Sequence, residues 1–143
     1  MKKRKGDPWM PADAYGRTLG GLTANLLVRD VARSVPFYRD VLGFAVHYAD
    51  VDFAALERDG MHLQLHADHT YDAMPWYPEL TSGVRRGLGA ELRILGIDPD
   101  AVEQRARASG ATVLLAAGDR RFGWRDVIVA DPDGYTFAVG VAT

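Results

Sequence analysis

The chain has 143 residues, 48% of them hydrophobic and 25% charged, with a formal net charge of −2 and no cysteine. That length suits one domain with a real core. The charge balance gives no general electrostatic pull towards nucleic acid, the missing cysteines exclude disulfides, thiolate catalysis and zinc–thiolate sites, and no apolar run is long enough for a membrane span.

Residues 1–20 are rich in glycine, proline and charge and read as a flexible arm outside the core. The basic start, Lys2-Lys3-Arg4-Lys5, runs into Gly6-Asp7-Pro8 instead of an apolar stretch, so it is no secretory signal and a cytoplasmic protein is expected. It reads as a solvated tail or as a contact for a polyanion. Trp9 and Tyr15 offer anchors on the body or on a second subunit.

The core starts at about Leu22, with Ala24, Leu26 and Val28 on one face of a strand and Thr23, Asn25 and Leu27 on the other. Val31, Val35, Tyr38 and Leu42 recur at helical spacing. This predicts a helix that begins at about Ala32, with Pro36 near its first turn and Gly43 as its stop. Strands are predicted over 45–48, 53–58 and 61–66, the last two joined by the hairpin signal Asp59-Gly60. Residues 68–88, with Tyr71, Trp76, Tyr77, Pro75 and Pro78, read as a linker unusually rich in aromatic residues. A fifth strand follows at 89–95, then a helix capped by Asp98-Pro99 and ending near Gly110. Strands at 112–115, 125–130 and 136–141 complete the series, with Asp131-Pro132-Asp133-Gly134 as a turn.

Residues 21–67 and 89–143 are therefore two copies of one module, in which Gly21, Asp30 and Asp59-Gly60 answer to Gly89, Asp98 and Asp133-Gly134. Each holds one helix and four strands. The fold expected is α+β: two tandem βαβββ modules whose curved mixed sheets enclose a cleft, making 21–143 a single domain.

Val28-Arg29-Asp30-Val31-Ala32-Arg33-Ser34, Phe37-Tyr38 and Val41-Leu42-Gly43-Phe44 resemble the first-module signature of the vicinal oxygen chelate superfamily. Gly123-Trp124-Arg125-Asp126 and Asp131-Pro132-Asp133-Gly134-Tyr135 resemble its second-module ending. The superfamily includes glyoxalase I, extradiol dioxygenases and the fosfomycin- and bleomycin-resistance proteins. The resemblance covers residues 21–143 and is specific for fold rather than function.

Members with a metal hold it on the first and last strands of each module. Carried over by position, those ligands fall at Thr23 and Gln64 and at Glu91 and Ala138. A hard divalent ion wants several oxygen or imidazole donors, and this set offers one carboxylate and one amide. No metal or other cofactor is expected. A second constellation, His62, Gln64 and His66, alternates on one strand, so all three share the face opposite Leu63 and Leu65. It reads either as the polar lining of a wet pocket or, with Glu91, as an atypical divalent-metal site. His47 and His69 look like surface or loop residues.

The resemblance implies two functions. Metal-free members resemble the bleomycin-resistance group, typically dimers that sequester aromatic or cationic compounds such as antibiotics. For that function Asn25, His62, Gln64 and His66 offer polar contacts, Glu91 and Arg93 charge, and Trp76, Tyr77, Tyr71, Phe122 and Trp124 flat surfaces. Each has a plainer reading: Glu91 pairs with Arg93 or Arg29, Trp124 packs the core, Trp76 and Tyr77 pack the linker or a dimer interface, and Arg120-Arg121 is a solvated loop. The alternative is a metal-dependent lyase or extradiol-type dioxygenase using His62, Gln64, His66 and Glu91. No nucleophile elbow or phosphate-binding glycine loop is present, and no catalytic residue is assigned.

Overall fold

The computed structural model describes all of residues 1–143. In chain order the strands are β1 (Ala24–Val28), β2 (Ala45–Ala49), β3 (Phe53–Arg58), β4 (Met61–Ala67), β5 (Glu91–Leu95), β6 (Thr112–Arg120), β7 (Trp124–Ala130) and β8 (Thr136–Ala142). The helices are α1 (Ala12–Thr18), α2 (Val31–Pro36), α3 (Tyr77–Leu80) and α4 (Pro99–Ser109). The strands form two four-stranded sheets, ordered β1-β4-β3-β2 and β5-β8-β7-β6. In each, the first and last strands of a repeat run parallel and the other pairs antiparallel. The expected α+β pair of βαβββ modules is therefore present. No helix is long and apolar enough to cross a membrane.

Packing gathers residues 1–35 and 44–83 into one compact unit and residues 36–43 and 84–143 into another. In the first, the two-residue period of β4 buries Leu63, Leu65 and Ala67 and leaves His62, Gln64 and His66 half-buried on the opposite face. Leu26, Val28, Val31 and Val35 are buried in the same unit. Asp59 and Gly60 both take positive φ, at 49° and 80°, as a tight hairpin turn requires.

The helix after β1 begins at Val31, one residue earlier than expected, because the Asp30 carboxylate caps it by accepting Arg33 N–H at 3.2 Å. Pro36 then falls at the sixth helical residue instead of the first turn. It has no N–H for an i→i−4 bond. Residues 37–41 continue as a π-helical turn, closed by Leu42 N–H donating to Phe37 O, five residues back, at 3.2 Å.

In the second unit α4 has the expected ends: Asp98 accepts Asp100 N–H at 3.0 Å, Pro99 follows, and Gly110 stops the helix at φ 74°. Its buried Val102 and Ala106 belong to a core with Phe37, Tyr38 and Phe137, whose rings lie 5.1–5.9 Å apart. The Tyr38 hydroxyl donates to Asp131 Oδ2 at 2.7 Å. Asp131 Oδ1 accepts the N–H groups of Asp133, Gly134 and Tyr135 at 2.8–3.0 Å, so one buried carboxylate knits the whole turn. Burial, with the Asp131 charge next, holds the Tyr38 phenol well above its ordinary pKa, so the proton stays on the tyrosine.

β6 runs to Arg120 instead of stopping at Leu115. Residues 118–120 stay in the ladder opposite 124–126, after two bulges, because the Arg120 guanidinium ties back to Asp126 and to Ala116 O. The segment 68–88 contains a 3₁₀ turn (Asp68–Tyr71) and the short helix α3.

Candidate functional site

Each sheet has one face turned to its own buried core and one turned away, called the inner face here. In the first unit Asn25 is in register with Gln64, and in the second Arg93 is in register with Ala138. The two repeats thus place equivalent residues at equivalent points. The carried-over positions Thr23 and Glu91 lie two residues earlier: Glu91 begins β5 on the Arg93 face, about 6.7 Å along the strand, and Thr23 immediately precedes β1.

The residues there do not fit a hard divalent cation. The first unit offers a threonine hydroxyl and an amide. The second offers a methyl group and one carboxylate, and that carboxylate already accepts Arg93 Nε–H at 3.0 Å. The His62-Gln64-His66 alternative fares no better. His62 and His66 are four residues apart on an extended strand, about 13 Å, and no three His, Asp or Glu side chains are grouped so that they could hold a metal ion.

The inner face of the first sheet is instead organised by hydrogen bonds and rings. Asn25 Nδ2 donates to the Tyr71 hydroxyl at 2.9 Å, which turns its Oδ1 towards His66 Nδ1 at 2.7 Å. An amide oxygen only accepts, so Nδ1 carries the imidazole proton and Nε2 presents a lone pair. Burial, with the Lys2 charge second, lowers the His66 pKa and keeps the ring neutral near pH 7. Phe53 packs on this ring at 4.7 Å between centroids, and Tyr71 links it to Trp76 through contacts of 5.6 Å each.

The N-terminal arm lies on this face with none of its residues buried, and Trp9 and Tyr15 hold it to the body, one of the two anchorages expected. Trp9 stacks on Tyr48 at 4.9 Å and 17°, and Tyr15 meets Phe53 edge-on at 5.5 Å. The second attachment is Asp52, only 1% exposed. Its Oδ1 accepts Lys3 N–H and His69 Nε2–H, both at 2.7 Å, and its Oδ2 accepts Arg4 N–H at 3.1 Å. Burial pushes this carboxyl up, but the His69 and backbone hydrogen bonds outweigh it and hold the pKa below the ordinary range. His69, expected as an uninformative loop residue, is thus part of the attachment. His47 is largely exposed, as expected.

Arm and sheet enclose a cavity of about 240 Å³. Trp9, Met10 and Tyr15 come from the arm, and Phe53, Gln64 and His66 from the sheet, with Lys2 and Arg4 also in its wall. The Tyr15 hydroxyl oxygen is shut off from solvent without a hydrogen-bond partner, which costs about 1–3 kcal/mol. His62 stands apart from this cavity, in the wall of a second one of about 270 Å³ with His47, Trp9 and Tyr15.

The inner face of the second sheet carries no such cover. Leu88, Leu95, Leu115 and Phe122 are 46–73% exposed, and a wide depression of about 540 Å³ runs beside Glu91, Leu115 and Ile128. Arg93 pairs with Glu91, one of the two partners expected, and lies over the Phe122 ring at 5.8 Å. Arg120 is no solvated loop residue: it binds Asp126 Oδ1 at 2.6 Å and is only 18% exposed. Trp124 is half-buried at the start of β7, Tyr77 half-buried at the start of α3, and Trp76 exposed.

The structure therefore gathers Asn25, Gln64, His66, Tyr71 and Trp76 in the first unit, and Glu91, Arg93 and Phe122 in the second. Sequence reasoning missed Lys2, Arg4, Asp52, Phe53 and His69. The available signal was the arm's two aromatic residues, Trp9 and Tyr15, which the sequence offers as anchors on the body or on a second subunit without naming the strands that receive them.

A family model for the Glyoxalase/Bleomycin resistance protein/Dioxygenase superfamily matches residues 21–139. The chain belongs to this superfamily. Among solved structures it is similar to a glyoxalase/bleomycin resistance protein/dioxygenase family enzyme from Burkholderia phytofirmans PsJN, at 21% identity and TM-score 0.70 over 85% of this chain and 97% of that one. It is also similar to a glyoxalase/bleomycin resistance protein/dioxygenase from Nocardioides, at 20% identity and TM-score 0.66 over 91% of each chain. A third is a glyoxalase-related enzyme from Fulvimarina pelagi, at 20% identity and TM-score 0.65 over 84% and 87%. These likenesses show the fold. Comparison with curated proteins gave no match.

Proposed function

We propose that this chain is a small-molecule-binding member of the superfamily that works without a divalent metal, sequestering an aromatic compound, antibiotics being one such class. The observation that carries the reading is the donor set: at the positions equivalent to family ligands stand a hydroxyl, an amide, a methyl group and a carboxylate already held by Arg93. The alternative, a lyase or dioxygenase using His62, Gln64, His66 and Glu91, finds no support in the bonding of Asn25 to His66 and of Arg93 to Glu91. The homodimer is part of the proposal, supported by the exposed Leu88, Leu95, Leu115 and Phe122 of the second unit.

Elemental analysis followed by nickel, zinc, manganese and ferrous titrations of the stripped protein tests the metal reading. No stoichiometric, saturable site is expected, and finding one overturns it. A thermal-shift screen of aromatic compounds, bleomycin-type drugs included, tests binding, with a concentration-dependent rise in Tm as the expected result. A wholly silent panel overturns the sequestering function. Light scattering after gel filtration reports the dimer.

A further inference from the structure

We propose that the cavity between the N-terminal arm and the first sheet is the ligand site, and that it takes a flat aromatic acid. This rests on the metal-independent binding reading above and adds the site and the ligand class. Three observations converge on it.

The walls are aromatic on two sides. Trp9 is held in plane by Tyr48, and Phe53 is held by Tyr15 and His66, so a flat ring entering the cavity meets rings already fixed in orientation. The charge is positive. The Asp52 carboxylate in the wall is already neutralised by two backbone N–H groups, His69 and, at 3.9 Å, the Arg4 guanidinium. The Lys2 ammonium has no ion-pair partner and shares the wall with neutral His66. An anionic group is therefore favoured there over a cationic one. The polar group left over suits a carboxylate: the Gln64 amide in the wall can donate two N–H and makes no hydrogen bond within the chain.

The test uses calorimetry of the full chain with two probes of the same shape and opposite charge, 1-naphthoate and 1-naphthylmethylammonium. Naphthoate is expected to bind saturably and the ammonium at least about tenfold more weakly. Trp9→Ala should weaken naphthoate about tenfold. Lys2→Gln should weaken it about threefold, an effect that shrinks at high salt. Gln64→Leu leaves the arm untouched and should also weaken it, which separates loss of the site from loss of the arm. Arg107→Ala, in an exposed pair with Glu103 on α4 of the second unit, should change nothing. Unchanged affinity in both Trp9→Ala and Gln64→Leu overturns the site while metal-independent binding stands. Equal or tighter binding of the ammonium overturns the ligand class. If naphthoate fails to bind, the site and its class both fall, and the metal titration and wider panel judge the parent reading separately.

Discussion

Gln64 and Ala138 hold the same place in the two repeats, as do Asn25 and Arg93, yet the surfaces around them are finished in opposite ways. In the first unit the inner face has a neutral hydrogen-bonded pair, Asn25 and His66, and a borrowed cover: from outside the repeat, Trp9 closes on Tyr48 and Tyr15 on Phe53. In the second, the inner face satisfies itself with charge, Arg120 on Asp126 and Arg93 on Glu91, and leaves Leu88 and Leu95 bare. Strand order and register are thus set by the buried side of each sheet. The other side is free to diverge, so function has to be read from the inner faces rather than from the fold.

If the second face is held by its own charges, Arg120→Ala should be the most damaging change. It strands Asp126, whose side chain is 9% exposed, and should lower stability by about 3 kcal/mol in denaturant unfolding. If the first face is held by its cover, Asp52→Ala leaves Lys3 N–H, Arg4 N–H and His69 without their acceptor and should cost about 2 kcal/mol. Hydrogen exchange should show that loss in residues 3–18 while β5–β8 keep their protection.

Acid probes the same attachment. The Asp52 pKa is lowered in the folded chain, so its contribution is complete above the ordinary carboxylate value of about 3.9 and is lost as pH falls below it. Trp fluorescence followed downwards in pH should report release of Trp9 in that window, and Asp52→Ala should abolish the transition. Trp9→Ala removes one stacked ring and should cost about 1 kcal/mol. The smallest effect is expected from Arg125→Ala. Its bidentate pair with Asp100 is solvent-exposed, so the loss should be barely detectable in denaturant unfolding and should vanish at high salt.

The frame was legible in the sequence because periodicity reports burial. Leu63, Leu65 and Ala67 alternate with His62, Gln64 and His66, and Asp98-Pro99 with Gly110 marks both ends of α4. Pro36 was misplaced because its expected position assumed α-helical phase throughout, while the chain absorbs the missing N–H by a wider turn. The cover was not legible for a different reason. Lys3 and Arg4 hold Asp52 through main-chain N–H groups, which every non-proline residue carries and which leave no mark in residue type. Nor does any local pattern bring Trp9 to Tyr48, 39 positions downstream.

That main-chain grip makes the arm a ruler. Two fixed points, the amides of residues 3 and 4 and the ring of Trp9, are joined by Lys5, Gly6, Asp7 and Pro8, with Gly6 at φ 80°. What the segment encodes is distance. Exchanging the side chain of Lys3 leaves both ends seated, whereas deleting one residue between Arg4 and Trp9 draws the indole about 3.5 Å along the sheet and off its partner. Related chains that share this grip should therefore agree in spacing across the segment while differing freely in its letters.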